Sequence, residues 1–300
     1  MTPDDDAAAT DDDATDAAAD DPLLRVLELE RLDRDLYRAA ANQGSPTGRL
    51  FGGQVAAQAL RAATLTVEVE HHPHSLHGYF LRPGRPGIPI ILDVDRIRDG
   101  RSFTTRRVVA RQDGEAIFNL SASFHRDEPD SEYQVALPEA LPDPDDEDYD
   151  WHRTLLSRFT DVMPLELREL PTIGPDDDGR YESTRRVWVR SSSALPDDRA
   201  LHACILTFIS DMGAVFAAAI PVGGEPGTVM GASLDHAVWF HRPVRLDEWV
   251  LFDLRPVSNA GSRGLVVGSF HARDGALAAS VAQEALVRRL DDRAGTGGGP

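Results

Sequence analysis

The chain has 300 residues, a net charge of −19 and 41% apolar residues, enough for one large or two ordinary domains with a true core. The acidity is local: residues 1–21 hold nine Asp and no base, and residues 127–150 hold eleven acids and no base, which leaves the rest near neutrality. Both stretches would repel nucleic acid, and the lone cysteine, Cys204, excludes a disulfide framework or a Cys-based metal site and fits a reducing cytoplasm.

Taken in order, residues 1–21 are Ala, Asp and Thr without pattern and predict a disordered acidic tail that resembles neither a signal nor a transit peptide. Residues 22–41 mix two periods. Leu27 and Leu29 alternate like a strand, while Leu29, Leu32 and Leu36 suit a helix. A loop with Gly44, Pro46 and Gly48 leads to F-G-G-Q-V-A-A-Q-A-L-R-A-A-T at 51–64, whose small residues predict a helix packed tightly on a sheet. It lacks the Lys and the spacing of a phosphate loop. After Pro73 the period falls to two, and four strands follow within residues 75–125, separated by Pro83–Gly84, Asp99–Gly100 and Asp113–Gly114. Residues 127–160 read as an acidic, Pro-rich connector with a short helix near Trp151 to Thr160. Strands at 165–170 and 185–190 precede the most apolar stretch of the chain, Leu201 to Val222. It is long enough for about five helical turns. It barely reaches the length of a membrane span, is interrupted by Asp211 and has no basic flank, so it is expected to be a buried central helix. Four strand-like runs from Ser233 to Arg288 follow, and the end from Asp291 is Gly-rich and predicted to be loose.

The two halves answer each other. Ser75-Leu76 matches Ser233-Leu234, Arg82-Pro83 matches Arg242-Pro243, and Asp113-Gly114 matches Asp274-Gly275, at offsets between 158 and 161. Each half predicts a long helix followed by an antiparallel meander. The expected class is α+β, a double hotdog: two tandem repeats, each a long central helix wrapped by a curved antiparallel sheet. The expected division is an N-terminal hotdog over 22–126, the connector over 127–160, a C-terminal hotdog over 161–290 and a flexible tail over 291–300.

The halves also differ. At an offset of 161, Ala122 faces Gln283, and Gln54 stands roughly where Asp211 stands. A lone carboxylate among Thr207, Phe208, Ala214 and Val215 is costly to bury unless it is hydrogen-bonded or used. The plain alternative makes Asp211 the cap of a helix starting at Met212, with Ser210 helping. Gln283 alternates with Ala279, Val281 and Ala285 and so faces the core, where its amide needs partners. Ser233 opens the strand after the central helix. A carboxylate, a hydroxyl and an amide around one hollow can hold and activate water.

Six stretches carry a resemblance: F-G-G-Q at 51–54, H-S-L-H-G-Y-F-L-R-P-G at 74–84, R-D-G-R-S-F at 98–103, S-D at 210–211, S-L-D-H-A-V-W-F-H-R-P at 233–243 and D-G-A-L-A-A-S-V-A-Q-E at 274–284. Over residues 23–290 the chain resembles the acyl-CoA thioesterase II family of double hotdog enzymes. The resemblance implies hydrolysis of fatty acyl-CoA to free acid and CoA, with no metal, cofactor or covalent intermediate. It maps the family's Asp, Thr-or-Ser and Gln onto Asp211, Ser233 and Gln283, with Asp211 as base and the other two positioning water. Ser233 stands where many members have Thr. Arg101 and Arg263, beside Gly-Ser turns, are candidates for the phosphates of CoA. A homodimer or higher oligomer is expected.

Two other readings compete. A hotdog enoyl-CoA hydratase pairs an Asp with a His about five residues on, where this chain has Phe216. A non-catalytic acyl-CoA-binding protein would not need an intact polar triad. His71, His72, His74 and His77 crowd one segment, but Pro73 interrupts it and no carboxylate or Cys cluster accompanies them, so a metal site is not expected. The sequence also lacks the G-x-S-x-G elbow of α/β-hydrolases.

Overall fold

The computed structural model describes residues 21–40, 42, 48–129, 131–137, 141–151, 163–181, 183, 185–224 and 228–290. Residues 22–41, read two ways above, contain a helix and strands, but not where either reading put them: Leu27 ends a helix, and Leu32 and Leu36 lie in strands. Helix α1 (Pro22–Leu27) starts at Asp21, whose carboxylate accepts from the Leu23 amide at 2.7 Å, so this last residue of the expected loose tail is a helix cap. Strands β1 (Glu30–Asp33) and β2 (Leu36–Ala39) then form a hairpin.

Helix α2 (Gly52–Thr64) follows the F-G-G-Q entry. Strands β3 (His71–Phe80), β4 (Ile90–Asp99), β5 (Phe103–Gln112) and β6 (Glu115–Arg126) make the expected meander. The four histidines near Pro73 fall on both faces of β3, so they do not converge. Strands β7 (Leu165–Glu169) and β8 (Arg185–Ser191) precede helices α3 (Arg199–Ser210) and α4 (Ala214–Ala219), and a 3-10 turn follows at Ile220–Val222. Strands β9 (Val229–Ser233), β10 (Asp235–Phe240), β11 (Val250–Ala260), β12 (Arg263–Ala272) and β13 (Leu277–Arg289) complete the described chain.

All strands join one 13-stranded antiparallel sheet in the order β1-β2-β4-β5-β6-β3-β10-β13-β12-β11-β8-β7, with β9 also on β13. At its centre β3 pairs with β10, from Ser75 opposite Trp239 to Tyr79 opposite Asp235. The meander side chains alternate between a covered and an open face, and the covered face packs on the helices. Helix α2 lies on β3–β6, and α4 lies on β9 and β11–β13.

The single long helix expected over Leu201–Val222 is broken. Asp211 ends α3, and Gly213, at φ 84°, sets the chain into a new direction before α4. A left-handed backbone terminates a helix at little cost only at Gly. A Cβ on Gly213 would also lie 2.8 Å from the Arg185 guanidinium, which is buried beside Glu169. The whole run Arg199–Val222 is apolar and long enough to cross a membrane, but 83% of its most apolar window is buried inside the protein.

The acidic connector is seated on the sheet over its described residues. Leu137, Leu141, Tyr149 and Trp151 pack on Trp188, Trp249 and Leu251. Trp249 donates its indole N–H to Asp145 at 2.8 Å, and Arg273 binds Asp143 and Asp145. The expected helix at 151–160 lies outside the described residues, apart from Trp151, which is not helical.

Candidate active site

The break between α3 and α4 places Asp211 at a junction of four elements. α2 has no side-chain cap of its own at Phe51. Asp211 caps it from across the fold: the Gly53 amide donates to Asp211 Oδ2 at 2.8 Å. A helix N-terminus favours a carboxylate. The approach needs glycine. A Cβ on Gly52 would lie 2.8 Å from Asp211 Oδ2, and one on Gly53 would lie 2.3 Å from the Phe208 carbonyl oxygen. Asp211 is therefore a cap, as the plain alternative held, but for another helix than the one that alternative named.

The other carboxylate oxygen meets the two remaining candidates. Ser233 Oγ donates to Asp211 Oδ1 at 3.1 Å, and Gln283 Nε2 donates to the same oxygen at 3.0 Å and to Ser233 Oγ at 2.8 Å. Ser233 ends β9, with Leu234 alone between it and β10, and Gln283 comes from the covered face of β13. Asp211 is 7% exposed and Gln283 0%. Burial pushes the Asp211 carboxyl above the ordinary carboxylate range, while His236 and the hydrogen bonds from Gln283, Ser233 and Gly53 pull it back.

Asp211 and Ser233 border a cavity of about 700 Å³. Its wall is largely apolar, with Val55, Phe80, Phe118, Val215, Phe216 and Met230 among its residues. That size and character suit a small-molecule ligand with a long apolar part. Two cations, Arg49 and Arg82, also line it. Arg82 binds the Ala116 carbonyl and Glu115.

The structure thus brings Asp211, Ser233 and Gln283 together but leaves Arg101 and Arg263 away from the cavity wall. Arg101 lies in the turn before β5, at the sheet end where Phe103 faces His125. The cavity touches β6 at Ile117 and Phe118, about 20 Å along the strand from there. Arg263 is paired with Glu284 at 2.9 Å. Gln54, matched to Asp211 by sequence offset, instead binds Asn42.

His236 is the functional candidate that spacing did not reveal. The imidazole is 1% exposed, with Nδ1 2.6 Å from Gln283 Oε1 and Nε2 2.7 Å from Ser210 Oγ. One step from Ala237, which faces Ala282, it lies opposite Gln283. The corresponding pair between β3 and β6 is Leu76 opposite Ala122. The sequence match that set Leu76 against Leu234 hid this, because it ran two residues short of the sheet register.

Comparison with known proteins adds a second line. Family models match residues 41–125 as an acyl-CoA thioesterase N-terminal domain and residues 159–286 as acyl-CoA thioesterase. Mouse acyl-coenzyme A thioesterase 8 is 37% identical over 285 residues, 88% of each chain. The chain belongs to the acyl-CoA thioesterase II family. The crystal structure of acyl-CoA thioesterase II TesB2 from Mycobacterium marinum is 39% identical, with a TM-score of 0.78 over 90% of this chain and 99% of that one. A hotdog-fold protein from Alicyclobacillus acidocaldarius, 19% identical, matches with a TM-score of 0.71 over 89% and 97% of the two chains. The large antiparallel sheet of this thioesterase-family chain is that of a hotdog fold.

Proposed function

We infer that the protein hydrolyses acyl-CoA thioesters to free acid and CoA, and that Asp211, Ser233 and Gln283 do the chemistry. The observation that carries this is the convergence of a hydroxyl and an amide on one oxygen of a buried carboxylate at the edge of a largely apolar cavity. In this reading the acyl chain occupies the apolar part. Water held at Asp211 and Ser233 attacks the thioester carbonyl carbon, and Asp211 takes its proton. The tetrahedral intermediate collapses, the C–S bond breaks, and the thiolate leaves to be protonated. Gln283 keeps the carboxylate and the serine oxygen in register. In the same reading Arg49 and Arg82, which line the cavity, meet the phosphates of CoA in preference to Arg101 and Arg263, which do not line it.

The hydratase alternative is not favoured: the residue five after Asp211 is Phe216, and His236 is held on both ring nitrogens beneath the cavity. The same reading includes the double repeat and its boundaries. It is supported by the matching strand orders on either side of β3–β10, and by extra residues at His74 in β3 and Leu234 between β9 and β10. It also includes a cytoplasmic homo-oligomer. Exposed Tyr79 and Trp239 on the open face of the central strands are consistent with packing between copies, and light scattering measures the assembly.

Free-thiol release across a panel of acyl-CoA lengths tests the activity. The wild type is expected to turn over several of them. Asp211→Asn is expected to lose about a hundredfold or more in kcat with its fold intact by circular dichroism. A folded Asp211→Asn protein with an unchanged rate would refute the assignment.

A further inference from the structure

We propose that His236 is a positioning residue for this hydrolysis: it holds the Gln283 carbonyl and thereby turns the amide N–H2 onto Asp211 and Ser233. The role rests on the hydrolytic reading of the site.

The two ends of a Gln amide have nearly the same shape and opposite hydrogen-bond character. Reversed, Gln283 would set Oε1 against the Asp211 carboxylate, 3.0 Å away, and leave Ser233 without its donor. Asp211 only accepts and so takes the N–H2 end; His236 Nδ1, 2.6 Å from Oε1, is the partner left to hold the carbonyl end. With Oε1 accepting there, Nδ1 carries the proton.

The other side of the ring accommodates that assignment in either charge state. Ser210 Oγ lies 2.7 Å from Nε2 and 2.8 Å from the Thr207 carbonyl, and it has one proton to give. With a neutral ring protonated at Nδ1, the hydroxyl donates to Nε2. With a charged ring, Nε2–H donates to the hydroxyl, which turns to Thr207. Nδ1–H points at Gln283 in both states. Burial lowers the His236 pKa and so favours the neutral ring. Ser210 is the residue before Asp211, so the bonds Asp211–Gln283–His236–Ser210 return to the chain where they began. The corresponding pair, Leu76 and Ala122, lacks both polar groups, so the sheet does not require them. Neither His236 nor Gln283 lines the cavity, which places the histidine behind the chemistry.

Three substitutions at 236 separate positioning from bulk. His236→Asn keeps an N–H close to the place of Nδ1, His236→Gln reaches toward Ser210 instead, and His236→Leu removes both contacts. Palmitoyl-CoA turnover by the 300-residue chain is the readout. His236→Gln is expected to lose about tenfold or more in kcat with little change in KM, and His236→Asn to recover most of it. In a Gln283→Ala background the His236→Gln change is expected to cost nothing further. His236→Leu serves the same cycle should the Gln variant not fold. Wild-type turnover in either variant, no recovery with Asn, or the same further loss in the Gln283→Ala background would overturn the proposal. If Gln283→Ala alone turns over normally, the reading of the site falls. If Gln283→Ala is slow while His236→Gln and His236→Leu are not, only the positioning role falls.

Discussion

Asp211 carries its charge where burial opposes it, and three donors from three other parts of the chain hold it there. Because burial raises its pKa, the acid limb of kcat/KM is expected to lie above the ordinary carboxylate range. The sign follows from its role: the base works only when deprotonated, so the rate rises with pH through that midpoint. A pH profile with no such limb down to the range of a free carboxylate contradicts Asp211 as the base. At this scale the sequence was informative wherever a residue broke its own pattern. Asp211 interrupts an apolar run, and Gln283 sits on an apolar strand face. Ser233 was legible chiefly through the family resemblance. His236 and Gly53 break no local pattern; their roles arise only when distant strands and helices meet.

At the scale of elements, the decisive feature is the tight crossing of α2 and α3. Phe51 meets Phe208 edge-on at 5.0 Å, and Gly53 sits against the Phe208 carbonyl. Gly53→Ala forces backbone apart and is expected to destabilise by about 1–3 kcal/mol in urea melts. Gly52→Ala pushes on a side-chain carboxylate and on Phe80. It is expected to lower kcat while costing less stability than Gly53→Ala. If both variants melt and turn over as the wild type does, the close approach is not required. The broken central helix was not legible because an apolar run has the same composition whether or not Gly213 turns left-handed within it. The connector reads from the sequence only as acidic and Pro-rich; its apolar residues, Leu137, Leu141, Tyr149 and Trp151, bind it to the sheet.

Over the whole molecule, the strand periods, the Asp-Gly turns and the repeated motifs made the antiparallel sheet readable in advance. The central pairing of β3 with β10 was not, since both segments read only as strands. Burial in the folded chain also lowers the pKa of several histidines, among them His74, His202, His241 and His271. The unfolded chain binds protons at these sites near the ordinary histidine value, so stability is expected to fall as pH drops below about 6.5. Ion-paired carboxylates with lowered pKa, such as Asp35 and Asp247, add a further loss at lower pH. Urea midpoints measured across this range check the sign, and a rise on acidification would contradict it. The central claim is that water, activated by Asp211, attacks the thioester directly. A single turnover of palmitoyl-CoA with excess enzyme, quenched over time, measures this by following CoA release, palmitate release and the mass of the intact protein together. The expected result is CoA and palmitate appearing at one rate with no palmitoyl adduct on the protein; CoA released ahead of palmitate, or a palmitoyl adduct in the quenched samples, would show a covalent acyl-enzyme and contradict the account.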